Sequence, residues 1–80
     1  MARWQKLLDK MRNNPQGDWT IDDIQTVAGH IDGMTVTPPS GGSHYGVAHP
    51  DRNETLTIPA KRPIKPIYVR NFVSMIDSIT

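Results

Sequence analysis

The feature that most constrains the fold is a change of hydrophobic period at Gly33-Met34. Upstream of it, apolar residues recur at helical spacing. Trp4, Leu7, Leu8 and Met11 fall at i, i+3, i+4 and i+7 on one face of a first helix, which Asn13-Asn14-Pro15-Gln16-Gly17 stops. Thr20 and Asp23 then form a capping box, with Trp19 and Ile24 placed as its hydrophobic staple. The second helix buries Ile21, Ile24, Val27, Ala28 and Ile31 and runs until Gly33 ends it. Downstream the period becomes two. Met34 and Val36 alternate with Thr35 and Thr37 in a short strand ended by Pro38-Pro39. His44–His49 and Glu54–Ile58 flank the turn Pro50-Asp51-Arg52-Asn53 and form an antiparallel hairpin. After a loop from Pro59 to Pro63, Pro66 opens a last helix, with Val69, Phe72, Val73, Ile76 and Ile79 in one stripe. The order α-α-β-β-β-α predicts an α+β sandwich, a three-stranded antiparallel sheet with helices packed on one face.

A chain of 80 residues makes a single domain, 1–80, with a helical part (1–32) and a part carrying the strands and final helix (33–80). The absence of cysteine rules out disulfides, thiolate zinc sites and a cysteine nucleophile, and fits a reducing cytoplasm. The first residues carry no apolar signal-peptide core, and no apolar run approaches the roughly 20 residues of a membrane span. A soluble cytoplasmic protein without a membrane partner is the expectation.

Hairpin register decides what the sheet presents. Pairing His49 with Glu54 sets Val47 against Leu56 and Tyr45 against Ile58, collecting four apolar side chains on one face. The opposite face then carries His44, Gly46, Ala48, Thr55 and Thr57: an imidazole at the loop end of an open surface. His44 and His49 point to opposite faces, His30 lies on a distant helix, and no acidic cluster fits magnesium, so no metal site and no cofactor are expected. Cations collect at the C-terminal end, where Lys61, Arg62, Lys65 and Arg70 stand against Asp77 alone. A lone histidine beside cations can cleave RNA, with slow turnover expected in the absence of an acid–base pair. The 2′-hydroxyl is the built-in nucleophile, imidazole moves its proton, and Lys61, Arg62, Lys65 and the last helix's N-terminus can bind phosphate.

Gly42-Ser43-His44-Tyr45, His49-Pro50-Asp51, Thr57-Ile58-Pro59 and Lys65-Pro66 with Val69-Arg70, in this order over residues 33–80, resemble the HicA toxin family. The resemblance implies a double-stranded-RNA-binding-like fold, an endoribonuclease acting on messenger RNA, and neutralisation by a HicB-type antitoxin. It places His44 at the catalytic position. Ser43 and Tyr45 beside it, with Lys61, Arg62, Lys65 and Arg70, are the candidate RNA contacts. The chain departs from typical members by its extra Trp4–Met11 helix and by Gly46-Val47-Ala48, where basic or aromatic residues are common. Two other readings of the residues stay open. One is a non-catalytic RNA-binding module that uses the cations and tolerates loss of His44. The other is a protein-interaction domain that needs neither.

Overall fold

The computed structural model describes residues 2–79. Its elements are α1 (Arg3–Asn13), α2 (Ile21–Ala28), β1 (Thr35–Thr37), β2 (His44–Ala48), β3 (Leu56–Pro59) and α3 (Pro66–Ile79). The strands form one antiparallel sheet in the order β1-β2-β3, as the α+β sandwich requires. Helix α2 packs on β1 and α3 on β3, and α1 lies against both helices. The core between them is built from Leu8 and Met11, Ile24, Val27, Ala28 and Ile31, Val47 and Ile58, Ile64, and Val69, Phe72, Val73, Met75 and Ile76. Among the described residues no helix is long and apolar enough to cross a membrane.

Local signals explain most of the boundaries. The Asp23 N–H donates to Thr20 Oγ1 at 3.3 Å, and the Thr20 N–H donates to Asp23 Oδ2 at 3.0 Å. This is the reciprocal cap that starts α2. The second helix is shorter than its apolar period predicts. It ends at Ala28, and Ile31 reaches the core from a tightened turn in which its N–H bonds to Ala28 O at 3.1 Å. Gly29, a poor helix former, caps the helix, and Gly33 supplies the left-handed residue at φ 83° that redirects the chain into β1. Arg12 fixes α1 to α3 through two contacts with Asp77, at 2.5 and 3.3 Å, and also pairs with Asp9.

The hairpin keeps its expected inner register, Val47 with Leu56 and Tyr45 with Ile58. It is shorter at the turn, because β2 stops at Ala48 and β3 begins at Leu56. The expected His49–Glu54 pair is absent; Glu54 instead pairs with Arg52, at 2.5 Å. His49 is engaged elsewhere. Its Nδ1 accepts the Asp51 N–H at 3.0 Å, which assigns the ring hydrogen to Nε2, and Nε2 donates to the Asp32 carbonyl at 2.8 Å. The imidazole therefore fastens the end of β2 to the turn before β1. A Cβ at Gly33 would lie 3.2 Å from Nε2, so this glycine is required for its φ and for the close approach. His49→Ala is expected to cost about 1 kcal/mol, lowering Tm by about 4–8 °C in a domain this small, a loss measurable by thermal melting.

Candidate nucleic-acid interface

Strand alternation turns Val47, Ile58 and Leu56 toward the helices and sets the cross-strand row Thr37–Gly46–Thr57 on the other side. No helix covers that side. His44, Thr55 and Thr57 are exposed there, and Gly46 contributes no side chain to its centre. A Cβ at Gly46 would sit in ordinary contact with Thr55, 3.4 Å away, so the bare centre is a matter of shape and not of backbone strain. The Pro38–Gly42 loop rises beside this face and encloses a shallow depression of about 620 Å³ that His44 lines.

His44 stands where two chain segments meet. It pairs with Pro59 across the sheet, so both residues share the open face. One step outward the Ala60 N–H donates to Ser43 O at 2.6 Å, carrying the hairpin ladder past His44. The basic loop of Lys61, Arg62 and Lys65 begins at the next residue. Its far end is also fixed, because the Ile64 N–H donates to Trp19 O at 2.8 Å and the Ile64 side chain is buried. The imidazole and the basic loop are thus joined by two consecutive residues and held at both ends of the loop.

The expected cations separate into three situations. Lys61 and Lys65 are exposed and make no ion pair with any described residue. Arg62 is engaged by Asp18, with its Nε at 2.9 and 3.1 Å and Nη2 at 2.5 Å from the carboxylate. The Arg62 hydrogen bonds hold the Asp18 carboxyl below its usual range. The pair is therefore intact at neutral pH and is lost as falling pH protonates Asp18. Nothing local in the sequence marks this contact, which spans most of the chain, and it withdraws Arg62 from the set of free phosphate ligands. Arg70 lies apart from the loop, beside Arg12, Ser74 and Asp77 in the groove between α1 and α3. Tyr45 alternates onto the side of Val47 and is half-buried, so of the two motif neighbours of His44 only Ser43 stays exposed, at the loop end.

The expectation also passed over Tyr68. Together with Pro59, Lys61, Arg62, Pro63 and Lys65 it lines a cleft of about 370 Å³ that opens next to the His44 end of the sheet. Lys65 sits just before α3, and the Tyr68 N–H donates to its carbonyl at 3.0 Å, a first-turn proximity that the sequence spacing alone does not mark. The other two histidines are not part of the interface. His49 is tied as described, and His30 stacks on Trp4 with ring centroids 5.9 Å apart and planes 8° from parallel. Among the described residues no three His, Asp or Glu side chains group closely enough to hold a metal ion. No family model, curated protein or solved structure matches the chain.

Proposed function

We propose that this chain is a HicA-type endoribonuclease that cleaves messenger RNA through His44 and is restrained by a HicB-type antitoxin. The observation that supports it is the placement of an exposed imidazole on an uncovered sheet face, paired across the sheet with Pro59, from which the loop carrying the exposed Lys61 and Lys65 departs. In the reaction the ribose 2′-oxygen forms a bond to the adjacent phosphorus as His44 takes its proton. The bond from phosphorus to the 5′-oxygen breaks, and that oxygen takes a proton from the imidazolium or from water. The products are a 2′,3′-cyclic phosphate and a 5′-hydroxyl, and no further reactant is consumed. Lys61 and Lys65 supply positive charge where the phosphate becomes more negative.

The test is end-group analysis of RNA incubated with the purified protein in excess chelator. Cleavage is expected to persist there and to leave cyclic or 3′-phosphate ends. Loss of cleavage in chelator, restored by magnesium, would overturn the imidazole mechanism. A second reading, RNA binding without cleavage, is favoured by one observation: the His44 imidazole, exposed at the start of β2, makes no side-chain hydrogen bond or ion pair with any described residue, so no neighbour orients it. Binding with no cleavage under these conditions would establish that alternative.

The antitoxin of this proposal covers the same face, with acidic residues at its rim opposite Lys61 and Lys65. Such complementarity speeds association and fixes register, while contacts over the centre of the face contribute most of the affinity. Reversing both lysines to glutamate is expected to weaken RNA and antitoxin binding together. Titration calorimetry should show the antitoxin effect shrinking as salt rises. An antitoxin bound at α1, leaving His44 open, would refute inhibition by occlusion.

A further inference from the structure

The geometry points to the cleft at the start of α3 as a nucleotide subsite that holds one unpaired RNA base against Tyr68, with Lys61 and Lys65 on its phosphates. The inference rests on the proposed RNA function and narrows it to single-stranded substrate. Three observations carry it. First, the cleft joins apolar surface from Pro59, Pro63 and Tyr68 with two lysines that have no carboxylate partner. An apolar wall with cations at the rim suits a ligand with a flat π-face and an attached anion. Its volume of about 370 Å³ falls in the lower part of the range of small-ligand sites, roughly 300–1,000 Å³. Second, Tyr68 is half-buried against the core, yet its hydroxyl makes no hydrogen bond to a described residue and is not a buried unsatisfied group. One part of the ring is thus fixed by packing while the hydroxyl end reaches solvent. Third, the cleft is built in advance, since its loop is held by Ser43–Ala60 at one end and Trp19–Ile64 at the other.

Pro59 belongs both to this cleft and to the cross-strand pair with His44. A strand whose base sits at Tyr68 therefore passes its neighbouring phosphate over Pro59 toward the imidazole. Bases inside an A-form duplex are stacked and paired and cannot turn into such a cleft, whereas unpaired bases stack readily on aromatic side chains. The subsite accordingly selects loops and single strands, and it fixes the distance from the held base to the bond that His44 would cut.

The test is fluorescence anisotropy with a labelled single-stranded RNA oligomer and the full-length His44→Ala protein, which separates binding from cleavage. Tyr68→Leu is expected to weaken binding about 10-fold, and Tyr68→Phe to leave it unchanged. An abasic nucleotide moved along the oligomer should cost about 10-fold at one position and little elsewhere, and Tyr68→Leu should erase that sensitivity. Lys61→Gln with Lys65→Gln should lower the slope of log affinity against log salt by about 1.4. A folded Tyr68→Leu protein that binds like its parent, a flat abasic scan, or equally tight duplex binding would each overturn the subsite. Should Tyr68→Leu fail to fold, the abasic scan on the Tyr68 protein decides alone. Cleavage by the His44 protein is scored separately. One sensitive position without cleavage keeps the subsite and removes the nuclease, and cleavage with a flat scan does the reverse.

Discussion

On the proposed nuclease reading, His44→Ala is expected to reduce RNA cleavage by a factor of about 10²–10⁴, the usual contribution of a general acid or base. It is also expected to abolish growth arrest on expression. The melting temperature should stay where it was, because the imidazole is exposed and makes no contact that the fold uses. Substitutions of that kind normally change stability by less than about 0.5 kcal/mol. His44→Gln sharpens the comparison, since it keeps a polar side chain of similar reach but cannot exchange a proton near neutrality. Circular dichroism and a cleavage assay on the same preparations separate chemistry from folding. A folded His44→Ala protein that still cleaves would remove His44 from the mechanism and direct attention to Ser43 and the basic loop. His49→Ala is the matched control. Its imidazole is bonded to the turn before β1 and to Asp51, so the substitution should lower stability while a folded fraction retains any cleavage.

These two histidines also show how far the sequence could be read. Strand alternation predicts opposite faces for them, but β2 ends at Ala48, and His49 lies past the ladder, bonded to Asp32 and Asp51. The pairing of Tyr45 with Ile58 and Val47 with Leu56 followed because only that register gathers the apolar side chains. The same logic could not foresee the bonds from His49 to Asp32 and Asp51, or that β2 stops at Ala48 with Glu54 outside the ladder. Hydrophobic period reports which side of an element faces the core, and it is silent about polar contacts between segments. Ile31 illustrates this. It is buried as its helical spacing requires, yet the helix has already ended at Ala28, because a turn can deliver an apolar side chain to the same place. Charge clustering was legible in the same partial way. Lys61, Arg62 and Lys65 do share one loop, but Asp18 engages Arg62 from a segment far away in the chain, and helix geometry carries Arg70 to another groove. Tyr68 lies outside the apolar stripe of Val69, Phe72, Val73, Ile76 and Ile79, and no sequence pattern singles it out. The ring is half core and half cleft wall, and only the three-dimensional course of the Pro59–Lys65 loop separates the two roles.

Phe72→Ala is expected to be the most destabilising of these substitutions, costing about 3–5 kcal/mol. Phe72 is fully buried in α3, the helix that packs on both α1 and β3. Truncation of a buried phenylalanine costs about 3–5 kcal/mol, from lost transfer energy and from the cavity left behind. A domain this small has a total stability of only about 4–12 kcal/mol at the usual 0.05–0.15 kcal/mol per residue. One substitution therefore removes about a quarter or more of what holds the fold, and with no disulfide in the chain no covalent link offsets the loss. Ile67→Ala in the same helix supplies the contrast. Ile67 is 53% exposed, so its loss should change stability by less than about 0.5 kcal/mol. Urea denaturation of both variants checks the difference, with the midpoint falling sharply for Phe72→Ala and barely moving for Ile67→Ala. Cleavage should follow the folded fraction in Phe72→Ala, because the substitution lies far from the open face and touches it only through the sheet. A partner or RNA that binds only the folded chain should then restore the transition toward that of the parent as its concentration rises. If Phe72→Ala melts like the parent, α3 is not packed on the sheet through this ring, and the placement of the Tyr68 cleft at the start of the same helix fails with it.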